Sequence, residues 1–259
     1  VRYRSDIEIP VEHEEALISD ILAMMAASQA QAFDKHRHAI RDAHAKSHGL
    51  LKGTLRVHDN LPPDLAQGLF AEPATYQVII RLSSAPGDLQ SDSTPAPKGF
   101  AMKVIGVPGE RIQADCNGRN QDFLLVNIPT LFFGDVSAYK ALLVEAENHQ
   151  HDPAFIHKAM TGLARGAAAV AAAVGVEPGA LLRAAAIANN NLLGETFHSM
   201  AALRFGDYVA KLSLAPESAN VRALTGQTVT DVQPSGMRDI VVEHFRREGA
   251  SYTLRAQLC

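Results

Sequence analysis

The chain reads as an α+β fold, with strands on both sides of a helical middle. The first observation is a pair of strand-like runs. Leu51, Gly53, Leu55 and Val57 alternate with other residues, and Tyr76 to Ser83 is rich in Val and Ile. Period-two alternation marks a half-buried strand. The second is an Ala-rich stretch from Pro153 to Val174, continued from Ala180 to Ala188, since alanine is the best helix former. The third is the return of strand patterns at 196–203, 208–214 and 251–258. Strands grouped before and after helices argue against alternating βα units.

Taken in order, Pro10 precedes an amphipathic run in which Ile18, Leu22 and Met25 share a face, with Leu17, Ile21 and Met24 beside it. This spacing predicts a helix from about Val11 to Ala30. Residues 31–48 are rich in His, Asp, Lys and Arg and read as an extended arm. Leu61-Pro-Pro63 ends the first strand, and the Asp, Ser and Pro of 88–97 make a loop. Phe100 to Ile105 and Phe123 to Val126 are further strands, and Val136 to Asn148 is a helix. Met237 to Arg247 is helical and ends near Gly249, a candidate C′ glycine. Tyr252, Leu254, Ala256 and Leu258 alternate in a final strand.

At 259 residues the chain is long enough to bury a sizeable core. A hydrophobic content of 47%, a charged content of 20% and a net charge of −4 give no sign of a nucleic-acid partner. Cys116 and Cys259 do not make a disulfide framework, which favours a reducing compartment. With no signal-like start, a cytoplasmic location is expected. The longest uninterrupted apolar run, 166–176, is far shorter than a bilayer span, so no transmembrane segment is expected.

Five short motifs hold the chemistry. Arg41-Asp-Ala-His-Ala-Lys-Ser-His-Gly49 sets an arginine three residues before a histidine. Val78-Ile-Ile-Arg-Leu-Ser-Ser84, Ser91-Asp92, Lys98-Gly-Phe-Ala-Met-Lys103 and Asp115-Cys-Asn-Gly-Arg-Asn-Gln-Asp-Phe123 follow. Their order and spacing resembles the distal half of the haem pocket of the catalase family. There the pattern runs Arg-x-x-His-Ala-Lys-Gly, a strand ending Arg-Phe-Ser-Thr, Ser-Asp, Arg-Gly-Phe-Ala-x-Lys and Gly-Asn-Asn.

The resemblance implies a single catalase-like domain over 1–259, an antiparallel eight-stranded β-barrel with inserted and flanking helices. Residues 1–40 would form a helix and arm, 41–135 the first barrel half with the distal pocket, 136–190 a helical insertion and 195–259 the second half. It implies haem b as cofactor. The function it implies is a haem-dependent peroxide-processing oxidoreductase, a peroxidase or weak catalase acting on hydrogen peroxide or an organic or lipid hydroperoxide. The alternative is a non-enzymatic haem or fatty-acid binding protein on the same barrel. The oligomeric state stays open, a homo-oligomer included.

By position, His44 matches the distal histidine. A neutral imidazole suits peroxide cleavage because its pKa lies near working pH. Arg41 and Arg81 match arginines that meet the haem propionates, a pairing suited to guanidinium geometry. Ser83 matches the serine bonded to the distal histidine, and Phe132 a phenylalanine over the haem edge. The distal asparagine is assigned to Asn120, with Asn117 or neither as alternatives, because Gly118-Arg119-Asn120-Gln121-Asp122 departs from Gly-Asn-Asn-x-Pro. Ala43 stands where the family has valine, which widens the entrance and favours a larger hydroperoxide.

The family's haem-ligating tyrosine motif is not recognisable. Arg204-Phe-Gly-Asp-Tyr208 has the Arg-x-x-x-Tyr spacing, but the residues after Tyr208 alternate like a strand. The tyrosine ligand is therefore expected beyond Cys259, in a missing C-terminal segment, and no metal ligand is assigned within the chain. A zinc reading of His44-x-x-x-His48 lacks an intervening Glu and a helical context.

Overall fold

Valine, isoleucine and leucine at alternate positions of Thr75–Ser84 bury one face and leave the other open, and that strand organises the first half of the molecule. The computed structural model describes residues 1–41, 43–87, 89–109, 118–130, 134–148, 187–230 and 233–259. Its strands are β1 (Ser47–Arg56), β2 (Thr75–Ser84), β3 (Lys98–Ile105), β4 (Asn120–Val126), β5 (Phe197–Ser199), β6 (Leu203–Phe205), β7 (Tyr208–Pro216) and β8 (Tyr252–Leu258). The α-helices are α1 (Glu14–His36), α2 (Val136–Asn148), α3 (Ala219–Arg222) and α4 (Gly236–Arg247).

All the strands pair antiparallel in one sheet of order β1-β2-β3-β4-β5-β7-β6, with β8 on β7. Among the described residues no ladder joins β8 or β6 back to β1, so the expected closed barrel is an open sheet. The mixed α and antiparallel β character stands. One core takes Val78, Leu82, Phe100, Met102, Val104, Phe123, Leu125, Phe197, Leu212 and Leu214 from the sheet, with Leu51, Leu254 and Leu258 packed against it. Strands from both ends of the order thus share one interior, which requires strong twist. Each such side chain taken out of water contributes about 1.5–3 kcal/mol.

Helix α4 packs on β1. Gly49 permits this: a Cβ there would lie 2.9 Å from Val241 Cγ1. The start of α4 is tied down by Asp92, whose Oδ2 accepts from Met237 N–H at 2.9 Å. A carboxylate at a helix N-terminus satisfies an orphan amide and opposes the helix dipole.

Several boundaries differ from expectation. The first helix runs on to His36, because Ala, Gln and Lys sustain it past Ala30, so the arm is shorter than expected. The single strand expected over 196–203 is two short ones. Ser199 Oγ donates to Ala201 O (2.9 Å) and accepts from Leu212 N–H (3.0 Å), which turns the chain there. Gly249 is not a left-handed cap; α4 ends on Glu248 in extended conformation. The Ala-rich stretch up to residue 186 lies outside the described residues.

Helix α1 has the length and composition to cross a membrane, with a mean hydropathy of 1.2 over its most apolar 18-residue window, only 6% of it buried. It is the exception to the expected absence of such a segment. It contacts α2, where Lys140 Nζ meets Asp20 Oδ2 at 2.5 Å.

Candidate active site

The outward face of the first four strands carries the site. One rung sets Ser83 beside Gly99 and Val126, and the next sets Leu50, Arg81, Ala101 and Leu124 side by side. Leu50 is 72% exposed and Leu124 71%. The third rung ends this apolar band with the Lys103–Asp122 ion pair, Nζ to Oδ1 2.6 Å. An open apolar band floored by Gly and Ala has the form of a binding face, not of ordinary solvated sheet.

His44 lies over the end of this band. Its Nδ1 is 3.0 Å from Ser83 Oγ. Gly99 is required beneath it, since a Cβ there would sit 2.5 Å from His44 Nδ1 and 2.8 Å from Ser83 Oγ. The backbone of His44 is left-handed, φ 51°. Such a conformation costs a non-glycine residue on the order of 1 kcal/mol and tends to be kept at functional sites. It is held by His44 N–H on Ala85 O (2.8 Å) and by Arg81 Nη2 donating to His44 O (2.7 Å) and Ala45 O (3.3 Å).

Burial lowers the His44 pKa, and the charges of Arg81 and Arg41 lower it further. The imidazole is thus neutral near pH 7, with Nε2 not engaged by any hydrogen bond among the described residues. Burial, then Arg41, also lowers the pKa of Arg81. Neither guanidinium has an ion-pair partner among the described residues. Two neighbouring guanidinium groups raise the local positive potential, which favours an anion.

A second polar cluster is buried behind the first. Lys46 Nζ meets Asp92 Oδ1 at 2.7 Å and also bonds Gln90 O (2.7 Å) and Pro234 O. His48, fully buried, has Nε2 2.7 Å from Ser84 Oγ. Its pKa is pushed down to about 4 by burial, with Asp92 opposing and Lys98, Lys46 and Arg81 adding to the fall. Its 4.0 Å approach to Asp92 is therefore not an ion pair near neutrality. Lys98 is buried too, and burial lowers its pKa while Asp92 and Glu195 oppose.

The structure thus brings together His44, Ser83, Arg81 and Arg41. Ala43, exposed, adjoins them in the chain. Asn120 is not part of this group. It pairs with Ile105 at the far end of β3, six rungs from the Gly99–Val126 pair, on the order of 20 Å along the strand. The asparagine at the His44 end is Asn127, whose Oδ1 accepts from Lys98 N–H at 2.7 Å. Its signal in the sequence is an asparagine two residues before a proline, five before Phe132. Phe132 and Asn117 lie outside the described residues.

The zinc pair does not form. His44 bonds Ser83 and His48 bonds Ser84, residues that alternate faces of β2. Among the described residues no three His, Cys, Asp or Glu side chains cluster as metal ligands. Arg204 and Tyr208 flank a β-hairpin turn, with Phe205 opposite Tyr208, so the Arg-x-x-x-Tyr spacing there is not helical. Tyr252 donates its hydroxyl to Leu193 O at 2.8 Å, and burial raises its pKa, so it stays a neutral phenol.

No family profile matches the sequence, and no curated protein matches it. Solved structures do. A fungal catalase superposes with a TM-score of 0.54 at 16% identity, covering 100% of this chain and 49% of that one. Catalase A from Saccharomyces cerevisiae gives 0.54 at 16% identity, with 51% of that chain covered. A bacterial catalase gives 0.51 at 14% identity, with 48% covered. The chain spans about half the length of the catalases it matches. Its fold is catalase-like.

Proposed function

We propose that this chain forms the substrate-side half of a haem-dependent peroxide-processing oxidoreductase, a peroxidase or weak catalase. The observation that carries the reading is His44: a neutral imidazole laid on Gly99, braced by Ser83, at the edge of an exposed apolar band beside Arg41 and Arg81. These features suit haem b. The band offers a flat apolar surface to a macrocycle, and Arg41 and Arg81 offer charge to its two carboxylates. When bound, the haem would supply the iron redox chemistry, with Arg41, Arg81 and the apolar band as the residues that would hold it.

The chain's own residues do the acid–base work. Nδ1–H donated to Ser83 Oγ leaves the lone pair on His44 Nε2, which takes a proton from the near oxygen of the peroxide and returns it to the far one. Leu50 and Leu124 exclude water from the face between them. The small Ala43 leaves room for an organic hydroperoxide.

The test is an absorption spectrum of the full protein purified with haem, followed by turnover of hydrogen peroxide and an organic hydroperoxide. A Soret band with peroxide-dependent dye oxidation is expected. Absence of the band sinks the proposal.

A further inference from the structure

We infer that the cleft between β1 and α4 is a second ligand site, which takes an aliphatic carboxylate. Helix α4 carries Arg238, Val241, Val242, Phe245 and Arg246 on one stripe, the spacing of a single helix face. That stripe and Ser47–Leu51 of β1 line an open cleft of about 440 Å³. Its size falls within the range of small-molecule sites, which are mostly apolar with a few polar groups. Leu50 and Val242 are exposed apolar walls, and Leu51 and Phe245 are half-buried beside them. A hydrocarbon tail laid there removes apolar surface from water. Arg238 and Arg246, both exposed, stand about 12 Å apart along the helix axis. Among the described residues no carboxylate lines the cleft. Arg238 meets Asp239 at 3.5 Å in an exposed pair that water screens. An apolar trough with two guanidinium groups and no anion suits a molecule with an apolar body and one carboxylate.

His48 points to the same ligand. It lines the cleft and is fully buried, and its Nδ1 has no hydrogen-bond partner among the described residues. Buried polar atoms are nearly always satisfied, so an orphan nitrogen in the wall of a cleft marks a place for a ligand's polar end. A peptide strand is the competing occupant. Five consecutive residues of β1 line the cleft, and successive side chains alternate faces, so the cleft follows the strand's edge. An added strand needs an even ladder on that edge. The register shift between Ser47 and Gly49 interrupts it, and bulges on edge strands oppose such pairing. A small carboxylate needs no register. The site uses neither His44 nor haem, so it stands apart from the peroxide reading.

The experiment uses the intact chain without added haem. Decanoate is the probe and decylamine its cationic counterpart, titrated by calorimetry and located by 15N NMR. One saturable decanoate site is expected, with decylamine roughly tenfold weaker or more. Amide shifts are expected at Gly49–Leu51 and Val241–Arg246. Arg238→Gln and Arg246→Gln, both on the surface, should together weaken decanoate roughly tenfold or more, as loss of charge-assisted hydrogen bonds predicts. Val242→Asp, which sets a like charge in the apolar wall, should weaken it as well. Lys103→Gln, outside the cleft, should leave it unchanged. Absence of saturable binding overturns the inference, as does decylamine binding as tightly as decanoate. So does unaltered affinity in the double arginine variant, or an equal loss in Lys103→Gln. Shifts confined to the Ser83–Gly99 rung also overturn it, by assigning the carboxylate to Arg41 and Arg81. Protection of the β1 edge by an acidic peptide, with no decanoate binding, assigns the cleft to a strand. A missing Soret band sinks the peroxide reading alone, and the decanoate titration still decides this site.

Discussion

At His44 a single imidazole is held by four neighbours: Ser83 at its ring, Gly99 beneath it, Ala85 at its N–H and Arg81 at its carbonyl. On the proposed role, in which the ring moves substrate protons and does not hold the cofactor, His44→Ala should cut peroxide turnover roughly 10²-fold or more while haem stays bound. Near-normal turnover with a normal Soret band would refute the assignment. The pH dependence follows from the sign of the shift. A pKa below the ordinary histidine value keeps the catalytic, neutral form populated as pH falls, so the acid limb of kcat/KM should lie below about pH 6.5. Replacing Arg41 with Gln removes one of the charges that depress it, and the limb should move upward. Ala43→Val should narrow the entrance and shift preference from an organic hydroperoxide toward hydrogen peroxide, read as the ratio of the two kcat/KM values. No change in that ratio would deny Ala43 a role in selection.

The strands set what those side chains meet. The pairing of Ser83, Gly99 and Val126 on one rung gives His44 its seat, and one more methyl on β3 removes it. Gly99→Ala places a Cβ 2.5 Å from the ring nitrogen. Its β3 backbone cannot yield, being bonded to β2 and β4, so the imidazole must move. Turnover should fall roughly 10²-fold, as displacement by about 1 Å predicts, with a stability loss of about 1–3 kcal/mol from overpacking. Unaltered kinetics together with an unaltered melting temperature would show that His44 does not rest on Gly99. Asn120 illustrates the opposite limit. It belongs to the motif by local spelling, yet the β3–β4 register carries it to the far end of the ladder and brings Asn127 to the near one.

Across the whole molecule, the buried cluster of Lys46, His48, Asp92 and Lys98 joins β1, the loop before β3 and the start of α4. Breaking it by Asp92→Ala leaves two ammonium groups without their shared anion and strips the cap from α4, so a loss of about 3–5 kcal/mol is expected in chemical denaturation. His48 gives the fold an acid sensitivity. Its folded pKa, about 4, lies below the unfolded value of 6.5, so the unfolded chain binds the proton more readily and stability drops as pH falls. The loss should begin near pH 6.5, run down to about pH 4 and amount to about 3 kcal/mol. Denaturation midpoints for wild type and His48→Phe between pH 7 and 4 measure it. A variant with the same acid slope as wild type would place the sensitivity elsewhere.

Local patterning was enough to locate most elements. Alternation marked β1, β2, β7 and β8, and helical composition marked α2 and α4 close to their observed ends, while Arg41, His44, Arg81 and Ser83, named by the resemblance of their motifs to the catalase family, are four residues that the fold does assemble. These are short-range properties: side-chain period and turn residues are written along the chain. The open sheet, the split of β5 from β6, the placing of Asn120 at the far end of the β3–β4 ladder and the buried Lys46–Asp92 pair are not. Each depends on register or on contacts between residues far apart in sequence, as Ser199 with Leu212 and Asp92 with Met237 show. A one-residue slip in register turns a strand's side chains to the other face while its alternation stays intact. Long-range pairing energies, summed over the sheet, choose among registers that the sequence pattern leaves equivalent.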